Sequence, residues 1–196
     1  VHHRVKNHLQ LVASIMNIQA RKSESEEVKQ AFRENTARVL SIASINEILT
    51  ANDEGPAPLM PFLEKLKNQF LLLYGEEFPI ALNFSGDDLT VSQEQATDVA
   101  LVVNELVSNA YKHAFKGKSC GEIRVILKNG ERYASVTVQD NGNGTEEIWN
   151  TGSFGMMLVQ MTVKDKLKGK VYVESGESGT SVTFDFLIDK STASEI

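Results

Sequence analysis

LVVNELVSNAYKHAF, residues 101–115, is the stretch whose reading decides the fold of this chain. At about 100° per residue, Val99, Val103, Leu106, Ala110 and Ala114 gather on one side of a helix. GlnGluGln at residues 93–95 leads that helix, which is expected to run to about Phe115. Glu105, Asn109 and Lys112 fall within about 60° of one another on the opposite side. Most stripes of this kind are solvated helix faces. A carboxylate, an amide oxygen and an ammonium in one row also suit a magnesium ion and its phosphates, the oxygens for the metal and the cation for the anion.

The segments that follow carry two glycine loops. In YASVTVQDNGNG, residues 133–144, strand alternation puts Asp140 in phase with Ala134, Val136 and Val138. A carboxylate on the apolar side is costly unless donors reach it. Asp140 either caps its own turn or receives the exocyclic amino group of a ligand such as adenine. Gly142 and Gly144 let the backbone approach that ligand closely. In TGSFGMMLVQM, residues 151–161, Gly152 and Gly155 open a helix over about Met156 to Lys166, whose Met156, Val159 and Val163 can pack inward. A glycine-rich turn feeding a helix N-terminus is a natural anion site. GTSVTFDF places Thr180 in phase with Val182, Phe184 and Phe186, its hydroxyl toward the same pocket.

The rest of the second half supplies the frame. Leu59 to Tyr74 reads as a helix and FPIALNF, residues 78–84, as a strand. EIRVILK and RYASVTVQ flank AsnGly at 129 and 130, the signature of a tight hairpin. KVYVES and SVTFDFLI finish the domain. Strands and helices mix without βαβ alternation, so the class is α+β, a mostly antiparallel sheet under helices.

The first half differs. Two long helices are expected, Val1 to Lys22 and from Ser23-Glu24-Ser25 to about Thr50, folded back as an antiparallel hairpin. Helix breakers at 51–58 mark a boundary, which gives a helical domain over 1–52, a second domain over 57–190 and a tail over 191–196. On the first helix Val5, Leu9, Val12 and Met16 form a seam, and Leu11, Ile15 and Ile18 widen its apolar arc. His3 lies about 150° from the centre of that arc, among Lys6, Gln10, Ser14 and Asn17. His2 lies nearer the seam and His8 inside the arc. A phosphoryl acceptor must be reached by its donor, so His3 is the candidate, and imidazole offers an unprotonated nitrogen near neutral pH.

Composition narrows the class. At 196 residues, 41% hydrophobic and 23% charged, the chain is an ordinary globular protein. The longest apolar run, FLLLY, is far short of the roughly 20 residues that span a membrane. A net charge of −6 argues against nucleic acid. A lone cysteine, Cys120, excludes an internal disulfide and a cysteine-rich metal site, and fits the cytoplasm. The start at Val1 is expected to be a cut from a longer protein, with a sensor upstream.

These stretches together resemble a sensor histidine kinase over nearly the whole chain. VVNELVSNAYKHAF resembles the asparagine box of the GHKL ATP-binding fold, DNGNG its first glycine box and TGSFGMMLV its second. HHRVKNHLQ resembles the acceptor helix of the HisKA type-2 group, relatives of the HWE kinases, with His8 where asparagine is usual. The resemblance implies a GHKL (Bergerat) sandwich and, on dimerisation, a four-helix bundle; a monomer is the alternative. It implies ATP and Mg2+, with Glu105 orienting water around the metal, Asn109 binding it, and Lys112 and His113 meeting the phosphates. Asp140 would accept from the adenine amino group beside Thr180, Gly142 and Gly144 would shape the pocket floor, and Gly152 and Gly155 would flank the triphosphate. It marks His3 as the phosphoryl acceptor and the receiver domain of a response regulator as partner. TEEIWNT between the glycine boxes is short for an ATP lid, and Trp149 is expected to anchor it. Two rivals remain: a phosphotransfer protein with an inactive ATP domain, and a GHKL switch or serine kinase regulator.

Overall fold

The computed structural model describes residues 2–50, 55–74, 79–144 and 154–188. Side chains are described for all of these except residues 2–7, 34, 37, 41–42, 44–50, 69, 71–74 and 154. The chain divides into two compact units, Val1–Glu54 and Gly55–Ile196.

The first unit is a hairpin of α1 (His2–Lys22) and α2 (Glu26–Thr50) joined by a three-residue link. Ser25 Oγ accepts the Val28 N–H at 3.4 Å, and Glu26 and Glu27 sit where a helix N-terminus favours negative charge. The packing seam is not the expected one. Ala13 and Ala20 are buried, with Leu9 and Met16 half-buried and Val12 exposed, so the contact runs 9-13-16-20 and passes by Val12; Val5 lies outside the described side chains. Small side chains let the two helices approach, and Ala43 and Thr36 of α2 are buried likewise. Leu11, Val12, Ile15 and Ile18 are left exposed along α1, with Val28 and Leu40 exposed on α2. His8 is exposed on the same stripe as Leu11, Val12 and Ile15.

The second unit opens with β1 (Ala57–Pro58), which pairs with β3 (Thr90–Val91) in a two-stranded ribbon around α3 (Leu59–Tyr74) and β2 (Ile80–Gly86). Then come α4 (Gln93–His113), β4 (Gly121–Lys128), β5 (Tyr133–Asp140), α5 (Phe154–Met161), β6 (Val171–Gly176) and β7 (Gly179–Leu187). The main sheet has the order β2-β4-β5-β7-β6, parallel between β2 and β4 and antiparallel elsewhere. Ile123, Val125, Leu127, Ala134, Val136, Val138, Val182, Phe184 and Phe186 are buried along one face, where α4 packs. Their strand neighbours Arg124, Thr137, Ser181 and Asp185 face the other way and are half-buried or exposed, the period-two pattern of a sheet covered on one side. This is the mixed α+β architecture that the alternation implied.

α4 is the central helix. Ser92 caps it, its Oγ accepting the Gln95 N–H at 3.2 Å, and Glu94 occupies the first turn. Lys112 and His113 occupy the last turn. Between them Val99, Ala100 and every residue from Val102 to Val107 are buried, because the sheet, α3 and α5 all pack against this helix. Phe70 of α3 stacks on Tyr111 with ring centroids 6.4 Å apart.

The hairpin expected at AsnGly 129 and 130 forms, β4 pairing antiparallel with β5 through the link Asn129–Arg132. The Asn129 N–H donates to Asp87 Oδ2 at 2.8 Å, which fixes the entry to the loop from outside the hairpin. The helix after the second glycine loop begins two residues earlier than expected, at Phe154, and changes to a π-helical turn over Thr162–Lys166. There the Leu167 N–H reaches back to Thr162 O at 3.0 Å.

Candidate functional site

Three elements meet near the C-terminal half of α4: the loop after β5, the first turn of α5, and the turn between β6 and β7. Asp140 ends β5 on the buried side, in phase with Val138, as strand alternation dictates. Its Oδ1 accepts two backbone donors, the Gly142 N–H at 2.8 Å and the Thr180 N–H at 3.2 Å. Among the described residues no donor falls on Oδ2. Oδ1 thus closes a local turn, as one of the two readings of Asp140 has it, and Oδ2 is left without a donor among the described residues. Burial pushes the carboxyl above its ordinary range; the two N–H groups and the Lys118 ammonium oppose the shift.

The loop that follows is laced to the end of α4. Asn143 N–H donates to Ala114 O and its Nδ2 to Lys116 O, both at 2.8 Å. Lys118 Nζ donates to Asn141 O at 2.8 Å, and Asn141 Oδ1 accepts the Glu122 N–H at 2.8 Å. Gly142 is buried where a Cβ would lie 2.3 Å from Ala114 O, so only glycine lets the loop approach the helix this closely. Asn141, Asn143 and Lys118 were not singled out from the sequence. The two asparagines beside glycines were the available signal.

Along α4, Glu105 is buried at 2% exposure, which removes the reading of its stripe as a solvated face. Asn109 is half-buried, and its Nδ2 donates to Met156 Sδ in the first turn of α5 at 3.5 Å. Lys112 is half-buried and forms no ion pair among the described residues; His113 is exposed. Gly155 is buried at the start of α5. The Thr180 hydroxyl does not turn into the pocket as expected; it lies 3.0 Å from Ser175 Oγ, and the residue meets Asp140 through its N–H. Gly152, Trp149 and the lid around them lie outside the described residues, as does the side chain of His3.

The donor set fits magnesium. Among the described residues no cluster of three or more His, Cys, Asp or Glu could hold a metal alone. An amide from Asn109 and a carboxylate from Glu105 suit an ion that keeps most of its ligands as water and phosphate.

Comparison with known proteins bears on both units. Residues 1–74 match the family model described as histidine kinase, and residues 94–190 the one described as histidine kinase-, DNA gyrase B- and HSP90-like ATPase. The sensor histidine kinase PdtaS of Mycobacterium tuberculosis is 30% identical over 187 residues, 93% of this chain and 37% of that protein. The blue-light-activated histidine kinase 2 of Erythrobacter litoralis is 30% identical over 195 residues, 94% of this chain and 55% of that protein. Among solved structures, the histidine kinase domain of a blue-light-activated kinase of Erythrobacter litoralis superposes with a TM-score of 0.67 at 26% identity. That likeness covers 100% of this chain and 94% of that domain. The chain spans between a third and about half of the curated relatives' length. A histidine kinase match over residues 1–74 and an ATPase match over residues 94–190 thus occur in one chain, and the chain belongs to the sensor histidine kinases.

Proposed function

We propose that this chain is the ATP-dependent kinase core of a two-component system, which phosphorylates its own His3 and passes the phosphoryl group to an aspartate of a response regulator. The observation that carries the nucleotide half is Asp140: a buried carboxylate with both backbone donors on Oδ1 and Oδ2 left to accept an amino group. Adenine offers such a donor. Asn109 and Glu105 are the residues to hold Mg2+, which when bound offsets charge on the phosphates. Lys112, at the C-terminal end of α4, neutralises phosphate charge as the His3 nitrogen attacks the γ-phosphorus. The new N–P bond forms as the bond to the β-phosphate oxygen breaks, and ADP leaves with that electron pair.

The hairpin supports the acceptor half. Position 3 on α1 lies, at about 100° per residue, roughly 110° from the centre of the seam of Leu9, Ala13, Met16 and Ala20 and as far from the centre of the exposed apolar stripe. It belongs to the side left over by both. The stripe of Leu11, Val12, Ile15 and Ile18 suits a second hairpin, giving a four-helix dimer. A groove of about 460 Å³ lined by Asn17, Ala20, Arg21, Lys29 and Arg33 offers cations to an acidic receiver domain. No helix among the described residues is long and apolar enough to cross a membrane, and we place this part of the protein in the cytoplasm.

Labelling with γ-phosphate-labelled ATP tests the reading. Label that is stable to alkali, lost in acid and absent from His3→Gln is expected. Acid-stable label would favour the serine kinase reading, and no label with intact nucleotide binding would favour a phosphotransfer protein with an inactive ATP domain.

A further inference from the structure

The turn between β6 and β7 touches the site through backbone atoms of Gly179 and Thr180. Gly176 pairs with Gly179, so Glu177 and Ser178 make the turn. Thr180, the next residue, donates its N–H to Asp140 Oδ1. Gly179 has φ +121°, and a Cβ on it would lie 2.1 Å from Asp140 O and 2.9 Å from Asn141 Cα. On the other limb, Gly176 O would lie 2.0 Å from a Cβ on Gly144, which itself has φ +68°. The Ser175 and Thr180 hydroxyls, 3.0 Å apart, join the rung next to the Gly176–Gly179 pair. The turn therefore packs backbone to backbone against both ends of the first glycine loop.

We propose that this turn is the positioning element that sets base specificity: through the Thr180 N–H it holds Asp140 Oδ1, so that Oδ2 alone meets the six-substituent of a purine. The inference rests on the nucleotide reading above and assigns part of its specificity to the β6–β7 turn. With the Gly142 N–H alone, the carboxylate keeps its local turn but is free to swing about its Cβ–Cγ bond. A second donor from a different strand fixes the carboxylate plane. A purine amino group then donates to Oδ2, whereas a carbonyl at the same position meets an acceptor with an acceptor and is rejected. Thr180 acts through its backbone, and its hydroxyl serves the hairpin.

The test compares MgATP with MgITP, which carries a carbonyl in place of the amino group, by calorimetric titration. Three altered chains are used: Gly179→Ala, the protein with the residue-180 amide replaced by an ester, and Glu131→Ala as a control in the exposed β4–β5 link. Losing one hydrogen bond to a charged acceptor should weaken ATP binding about tenfold or more while ITP changes little, so the ATP/ITP ratio falls by about the same factor. Glu131→Ala should keep the wild-type ratio. Equal losses for both nucleotides, or an unchanged ratio in the ester-containing chain, would overturn the proposal, as would equal affinities in the wild-type chain. Should Gly179→Ala fail to fold, the ester, which alters no side chain, decides alone. A wild-type chain that binds neither nucleotide overturns the nucleotide reading together with this proposal, whereas binding with an unaltered ratio overturns only the role of the turn.

Discussion

Asp140→Asn separates what the fold needs from what a nucleotide needs. Oδ1 accepts from Gly142 and Thr180, so the amide that replaces the carboxylate turns its oxygen to those two donors. Its NH2 group then occupies the place of Oδ2 and points a donor at the adenine amino group. Losing a hydrogen bond to a charged acceptor costs about 1.5–3 kcal/mol, and opposed donors add to it, so ATP affinity should fall by about a hundredfold. Stability should move the other way or not at all. Burial holds the Asp140 carboxyl above its ordinary 3.8, so the folded chain binds that proton more tightly than the unfolded chain does. Stability therefore declines as pH rises from 3.8 to the raised value and is flat above it. The asparagine variant lacks this decline and carries no buried charge at neutral pH. Asp98, also raised by burial, stays in place and keeps its own share of the slope. Calorimetric titration with MgATP and thermal unfolding at several pH values read the two effects. Unchanged affinity would refute the reasoning, and so would lost affinity accompanied by a clear fall in Tm at neutral pH.

Gly142→Ala places a Cβ 2.3 Å from Ala114 O and strains the 2.8 Å bond from Asn143 N–H to the same carbonyl. Overpacking of this kind costs about 1–3 kcal/mol, so Tm of the second unit should drop by about 3–10 °C, with weaker ATP binding. Differential scanning calorimetry checks it, and an unchanged Tm would count against the close approach. Leu11→Glu combined with Ile15→Glu puts two carboxylates on the exposed stripe of α1. Sedimentation velocity should show a dimer in the parent and a monomer in the variant, with ATP affinity retained; a parent that sediments as a monomer would remove the bundle from the account.

What the sequence disclosed follows from which interactions are local. Ser92 before GlnGluGln, the alternation of Ala134, Val136 and Val138, and the apolar period of α4 are nearest-neighbour patterns, and they gave the elements and the α+β class. What it left out depends on distant groups. The hairpin at AsnGly was legible, but not that Asp87 Oδ2 holds the N–H of Asn129 at its loop, which no pattern within 122–139 reveals. The seam of α1 settled on Ala13 and Ala20 because α2 can approach small side chains, while the larger Leu11 and Ile15 were left outside. Apolar periodicity marks a stripe without saying which partner covers it. Glu105 could not be told from a solvated carboxylate until α3 and α5 were seen to flank α4. Asp140 was identifiable by its phase, but the division of labour between its two oxygens depends on Thr180, 40 residues along the chain.

Peptide mapping after incubation with MgATP, with digestion and separation kept at neutral pH, tests the central claim most directly. A single phosphoryl group on the α1 peptide, assigned to His3 by fragmentation and missing from both His3→Gln and Asp140→Asn, is the expected result. Phosphate on a different residue, or an unmodified α1 peptide from protein that binds MgATP, would contradict it.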